Sequence, residues 1–303
     1  MLIVALAVLV AAAVGVAGER RSAHAPAIAR RILQLMLYVL VPFVSFVNIA
    51  HLDVTVAAGT GLGFAYVALG LAGAAAGYAG RRMQLSRPEI GALICSVILV
   101  NTGYLGLPMT VALIGPRQLG TAIAYDQLVS GPMLFIAGFG IGAAFGTRAG
   151  EGARARTRAF FARNPPLLAV VAGLVAPASL APSALVHASH VVVAALLGLG
   201  FFVVGVNLSA ERREDGAPLL EPPDRRVLVA VALRLLVAPL LLGAVSLTIV
   251  KLPSTYLLQA AMPSAINSLL VGHAYGLDQR MIATAIVWST FATLTIGLLI
   301  AAL

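Results

Sequence analysis

The chain has 303 residues, 60% of them hydrophobic and only 10% charged, with a mean hydropathy of +1.00. An ordinary soluble domain has about a quarter of its residues charged, so a soluble enzyme or nucleic-acid-binding protein is excluded despite a formal charge of +9 and a pI near 10.6. One cysteine, Cys95, lies in an apolar run and reads as a small buried hydrophobe; a disulfide framework and a cysteine metal site are both excluded.

Apolar runs long enough to cross a bilayer fall near 2–18, 32–50, 56–80, 90–115, 119–146, 166–182, 185–208, 227–250, 255–276 and 280–302. That predicts ten crossings. In the first run the basic residues Arg20 and Arg21 follow the apolar stretch, so it reads as a retained helix with its N-terminus outside and not as a signal peptide. Seventeen of the twenty basic residues then fall in alternate loops, leaving Arg117 and Lys251 on the other side and Arg234 inside a crossing. This bias places both termini outside and the arginine-rich loops in the cytoplasm.

Five crossings in each half enter the membrane from opposite sides, which predicts two inverted repeats, 1–146 and 166–303, joined by a cytoplasmic linker at 147–165. In each half the fourth crossing is interrupted. Asn101-Thr102-Gly103-Tyr104-Leu105-Gly106-Leu107-Pro108 breaks the first half, and Met262-Pro263-Ser264-Ala265-Ile266-Asn267-Ser268 breaks the second. Irregular backbone persists at mid-membrane depth only where it is buried or lines a cavity, so paired breaks point to a secondary transporter with its substrate near the midplane.

Proline removes a backbone donor and glycine permits conformations closed to other residues, which frees amide and carbonyl groups at each break. Freed N–H groups at the start of a half-helix suit an anion, and carbonyl ends suit a cation. Asn101, Thr102, Gly103, Tyr104, Pro108, Pro263, Ser264 and Asn267 are therefore candidate substrate-binding residues. The competing reading makes the polar members caps of broken backbone and Tyr104 a packing residue.

Two charges within crossings need a reason, because an ionisable group at a helix centre costs about 2.5 to 3.5 kcal/mol. Asp126, followed by Gln127, lies about 10 Å from the outer end of the fifth crossing, and Arg234 about 10 Å from the inner end of the eighth. They are read either as a structural ion pair or as functional groups, with Arg234 the substrate counter-charge and Asp126 with Gln127 a proton-linked or orienting pair. Asn48 and Asn207 are read as hydrogen-bonding a neighbouring helix. His24, His51 and His273 fall in loops or interfaces, and His187 and His190 lack further ligands, so no metal site is predicted.

The stretch 101–108, followed by Gly115-Pro116, and Ala261 to Asn267, followed by Tyr275-Gly276-Leu277-Asp278, resemble the two signature stretches of the auxin efflux carrier family in its bacterial permease branch. That family includes plant auxin carriers and bacterial permeases for malate, malonate and related organic anions. The resemblance implies an all-α fold of ten transmembrane helices, like that of bile acid and sodium symporters and sodium/proton antiporters, with helices four and nine crossing at Pro108 and Pro263. It also implies a scaffold of helices one, two, six and seven against a transport domain of three to five and eight to ten, working as an elevator. The short middle linker departs from the long loop of many plant members.

The expected function is secondary or facilitative transport of a small organic anion, without cofactor or catalytic residues. Sodium-coupled symport of the bile acid symporter type and a channel or membrane receptor are the alternatives. Proton or sodium ion, membrane lipid and a homodimer partner are the expected companions, with no nucleic acid. Nineteen arginines against one lysine and the absence of long loops suggest a bacterial cytoplasmic membrane.

Overall fold

A computed structural model describes residues 2–52, 56–147, 165–214 and 221–302. Every regular element among them is helical. In chain order they are α1 (Leu2–Arg21), α2 (Ala25–Ile49), α3 (Val56–Arg82), α4 (Arg87–Ile98), α5 (a wide π turn Thr102–Gly106 running into Leu107–Leu113) and α6 (Pro116–Phe145). After them come α7 (Pro165–Val175), α8 (Ser183–Glu214), α9 (Arg225–Thr248), α10 (Ser254–Ala260), α11 (Asn267–Tyr275) and α12 (Gln279–Ala302).

Seven of these, α1, α2, α3, α6, α8, α9 and α12, contain stretches long and apolar enough to cross a membrane. The expected fourth and ninth crossings are the interrupted pairs α4–α5 and α10–α11. The expected sixth crossing, 166–182, is shorter as a helix. It stops at Val175 because Pro177 cannot continue the ladder, and a single 3-10 turn, Ala178–Leu180, leads to Pro182. The arginine-rich linker at 147–165 lies outside the described residues apart from Thr147 and Pro165.

Packing divides by residue size. α1 runs along α8, and the two backbones approach so closely that a Cβ on Gly15 would lie 2.1 Å from the Phe202 carbonyl oxygen, and one on Gly205 2.1 Å from that of Ala12. α8 also packs on α2, and α7 on the second half of α2 through Gly173, which sits against Phe46 and Ile49. α3, α4, α9 and α12 pack on one another around a core that includes Leu69, Leu93, Val97, Ala230 and Ile282, which Val8 of α1 and Phe201 of α8 also join. α6 touches elements of both groups.

Charged side chains gather at one end of the bundle. Arg226, at the start of α9, contacts Glu89, Asp224 and Asp278, Arg280 pairs with Glu221, and Arg213 meets the buried Glu19 at 3.0 Å. At the start of α4 the Ser86 backbone N–H and hydroxyl donate to Glu89 at 2.8 and 2.6 Å. Those bonds, with Arg226 beside them, hold the Glu89 carboxyl below the usual carboxylate range, so it is ionised at neutral pH.

Candidate functional site

The two interruptions meet. Asn101 N–H donates to the Pro263 carbonyl and Ala265 N–H to the Leu99 carbonyl, each at 2.9 Å, forming an isolated antiparallel bridge centred on Val100 and Ser264. Each broken segment thus satisfies backbone groups of the other, as burial away from water requires. Ser264 adds two bonds of its own, its hydroxyl donating to Ser96 O at 2.6 Å and its N–H to Ser289 Oγ at 3.1 Å.

This geometry corrects one expectation. The crossing lies at Leu99–Asn101 against Pro263–Ala265, so Pro263 belongs to it and Pro108 does not. Pro108 occupies the first positions of the Leu107–Leu113 segment. The break comes earlier because Leu99 is extended, with φ −90° and ψ 118°, and Asn101 leaves helical geometry. The chain then re-enters through the wide turn in which Gly106 N–H reaches back to Asn101 O at 3.1 Å.

A second correction concerns the intramembrane charges. No ion pair joins Asp126 and Arg234. Arg234 is 0% exposed and donates from Nη1 to Val97 O at 2.6 Å and from Nη2 to Ala260 O. It therefore grips the carbonyl ends of α4 and α10 and does not line the central cavity. Asp126 lies at the opposite pole of the crossing, beside Gly103 at the start of α5. It accepts from the Thr102 hydroxyl and, at 2.6 Å, from Gln127 Nε2. An estimate from helical rise carries no information on which way a side chain points.

A cavity of about 150 Å³ opens beside the bridge. Asn101, Gly103, Tyr104, Asp126, Gln127 and Asn267 line it, together with Leu37 and Val41 of α2, Leu196 of α8 and Phe135 of α6. Thr102, Pro108, Pro263, Ser264 and Arg234 are not among the lining residues. Asn101 is 3% exposed and its Nδ2 has no protein partner. A second cavity, towards the end where the arginines gather, shares Tyr104, Ile266 and Asn267 with the first and adds Asn207 and Leu33. Tyr104 packs directly on Gly200 of α8, where a Cβ would come within 3.1 Å of its own Cβ. A third cavity at the opposite end holds His51, His187, His190 and Arg117.

Two residues at the crossing escaped the sequence reading. Gln259 is fully buried in α10 and its Nε2 donates to Thr110 Oγ1 at 3.2 Å, which in turn donates to Gly106 O at 2.9 Å. Both sit within apolar runs, three or more residues from the breaks, where only contact across the crossing reveals them. Asn48 bonds Val44 O at 2.8 Å and Ser189 Oγ at 2.9 Å, a tie between α2 and α8.

Paired broken helices, a cavity at their crossing and seven helices long and apolar enough to cross a membrane are the features of a multi-pass membrane protein. Residues 161–300 match the family described as Membrane transport protein. An uncharacterized transporter of Methanocaldococcus jannaschii is 27% identical over 233 residues, 73% of this chain and 69% of that protein. An uncharacterized transporter of Methanothermobacter thermautotrophicus is 27% identical over 222 residues, 71% of this chain and 68% of that protein.

Because Arg234 holds carbonyls and Asp126 holds a hydroxyl and an amide, neither balances the other. Arg234→Gln is expected to cost about 3 kcal/mol or more, since it removes two hydrogen bonds from a charged donor, and adding Asp126→Asn should not restore stability. Thermal or chemical melting of both single variants and the double variant measures this. Recovery in the double variant would show that the charges are partners after all.

Proposed function

We propose that this protein is a secondary carrier for a small organic anion, a carboxylate such as malate or malonate or an auxin-like acid, that binds beside the helix crossing. The observation that carries the reading is Asn101. Its backbone groups are taken up by Pro263 and Gly106, yet its side-chain Nδ2 is buried, unpartnered and beside the cavity that Asn267 and Tyr104 also line. A buried donor left unmatched costs about 1–3 kcal/mol, which an oxygen-rich ligand relieves. α5 and α11 both start at this cavity, and although the Ser268 and Leu269 N–H groups are taken by Ala265 O and Ile266 O, the positive dipole ends of the two segments favour negative charge.

Asp126 sets the proton stoichiometry in this reading. A carboxylate entering the cavity that Asp126 lines brings a second negative charge into one site, and two adjacent carboxylates do not both stay ionised. The anion therefore travels with a proton, Asp126 being the proton-linked group and Gln127 orienting it.

The crossings are ten, in two inverted five-helix repeats, 1–146 and 166–303, with the arginine-rich side cytoplasmic and both termini outside, in a bacterial cytoplasmic membrane. α1, α2, α7 and α8 form the scaffold and the other helices move against it as an elevator. The close packing of α1 with α8 and of α3 with α9 supports that division, as does the contact of the Tyr104 ring with the bare backbone at Gly200. The cavity towards the arginine-rich end, continuous with the central one through Tyr104, Ile266 and Asn267, is the cytoplasmic route to the site.

Asn101→Ala and Asn267→Ala should each raise the dissociation constant for malonate, or for whichever carboxylate a thermal-shift screen selects, by tenfold or more, about 1.4 kcal/mol. Melting temperatures should stay close to the parent's. Unchanged affinity in both well-folded variants would place the site elsewhere. Saturable flux with counterflow is expected, and its absence would indicate a channel.

For Asp126 the expected signature is pH dependence. Uptake into vesicles should rise as external pH falls, and Asp126→Asn, a permanently neutral mimic of the protonated group, should flatten that profile. A profile that is already flat in the parent protein removes proton linkage.

Movement is tested by a crosslink. Cysteines replacing Tyr104 and Gly200 have positions close to the Cβ separation of about 3.5–4.5 Å that a disulfide needs. Oxidation should stop turnover that the reduced form supports. Equal flux in both states would mean that α5 does not slide past α8.

A further inference from the structure

α4 and α10 both end in the middle of the bundle, and each leaves its last carbonyl groups without intrahelical donors. Most of those groups are answered by other parts of the crossing. Leu99 O accepts from Ala265 N–H, Ser96 O from the Ser264 hydroxyl, and Gln259 O from Met262 N–H. Val97 O and Ala260 O are taken by Arg234, one from each helix.

A helix C-terminus carries roughly half a negative unit charge, so two such ends converging on one point present about one. A single guanidinium matches it. Among the described residues no carboxylate pairs with Arg234, whose charge is therefore balanced by the two backbone ends alone. Carbonyl ends of broken helices are the groups that otherwise coordinate a coupling metal cation in carriers built on such breaks. Here they are already occupied, and by a positive charge that would repel a second cation.

We propose that Arg234 is the carrier's resident cation: its guanidinium fills, covalently and permanently, the place at the crossing where sodium or potassium would bind, so that neither ion couples to transport at this site. The inference extends the carrier reading above by excluding metal-ion symport from it. It is also separable from that reading, because the crossing's need for a cation is measured without any substrate.

The test compares the full-length parent protein, Arg234→Ala and Arg234→Lys in detergent, in sodium chloride, potassium chloride and choline chloride at equal ionic strength. A fourth condition adds a low, non-denaturing concentration of guanidinium chloride. The parent should melt at the same temperature in all of them. Arg234→Ala should melt lower in choline, and sodium or guanidinium should raise its melting temperature by roughly 4 °C or more, the size expected when a ligand binds only the folded state. Arg234→Lys keeps the charge but reaches only one carbonyl well, so it should fall between the two and remain indifferent to sodium. If Arg234→Ala is not recoverable from membranes, Arg234→Met takes its place in the same comparison.

A parent protein stabilised by sodium, or a neutral variant that melts like the parent in every salt, overturns the proposal. So does a neutral variant that melts lower but regains nothing from any cation, since Arg234 is then a packing residue only. These outcomes leave the identity of the cargo open. Failure of every carboxylate to bind, with the cation results as expected, would instead fail the substrate reading alone.

Discussion

Everything in this molecule follows from the requirement that backbone groups released in the middle of a membrane find partners within the protein. Two helices stop at mid-depth, and each stop frees donors and acceptors that lipid cannot satisfy. The bridge between Val100 and Ser264 pairs the two broken segments with each other. It cannot form unless both breaks lie at the same height and run antiparallel. Ser264 and Ser289 complete the set with short side chains, the Ser264 hydroxyl donating to the Ser96 backbone carbonyl and Ser289 Oγ accepting from the Ser264 N–H. Few side chains at this point are free to vary without leaving a buried group unpaired.

The plan of the fold was legible because its signals are strong and local. Long apolar runs, the one-sided arginine bias and two polar interruptions in matching places are all readable from a single chain. What the sequence could not supply is direction. Pro108 looked like the partner of Pro263 because proline is the visible mark of a break. The break itself is made by Leu99 and Asn101, residues with no such mark, before a wide turn that accommodates Pro108 without loss. An ion pair between Asp126 and Arg234 was one of the two readings open for them, because each lacked a partner in sequence. Their actual partners are a hydroxyl, an amide and two carbonyls, and carbonyls are present at every position. Gln259 and Thr110 were invisible for a related reason: a polar residue in an apolar run becomes meaningful only when the residue across the crossing is known.

The glycines divide the packing into two kinds of contact. Gly15 and Gly205 bring α1 and α8 to backbone distance on both sides of the same interface, a contact that added side-chain volume on either helix would force apart. At Gly200 the contact is one-sided. A single aromatic ring rests on a bare stretch of α8, with Gly198 one turn away from any neighbour that a Cβ would meet. An interlocked seam resists sliding because each ridge must leave its groove, whereas a ring on a smooth surface has no ridge to climb. The proposed division between a fixed and a moving part would therefore rest on residue size.

Charge placement at the crossing is asymmetric, and the asymmetry bears on what the cavity accepts. Four half-helix ends converge there, two ending in carbonyls and two beginning in N–H groups, of which those of Ser268 and Leu269 are taken by Ala265 O and Ile266 O. Arg234 answers both carbonyl ends. Asp126 lies beside Gly103 and bonds Thr102, so the start of α5 already has its negative partner. At the start of α11, Asn267 faces the cavity and the chain supplies no acid among the described contacts. Three ends are thus matched by charged side chains, and in the proposed reading the fourth is the one a cargo would answer. A ligand with one carboxylate complements that end; a cation would face Arg234 behind the bridge and the positive dipole ends of the two segments in front of it. Size adds a second filter, because the cavity is walled on one side by Leu37, Val41, Leu196 and Phe135. In the carrier reading proposed above, the acid head of a cargo would meet Asn101 and Asn267 with its remaining atoms against that apolar wall, which would place selectivity among carboxylates at the wall.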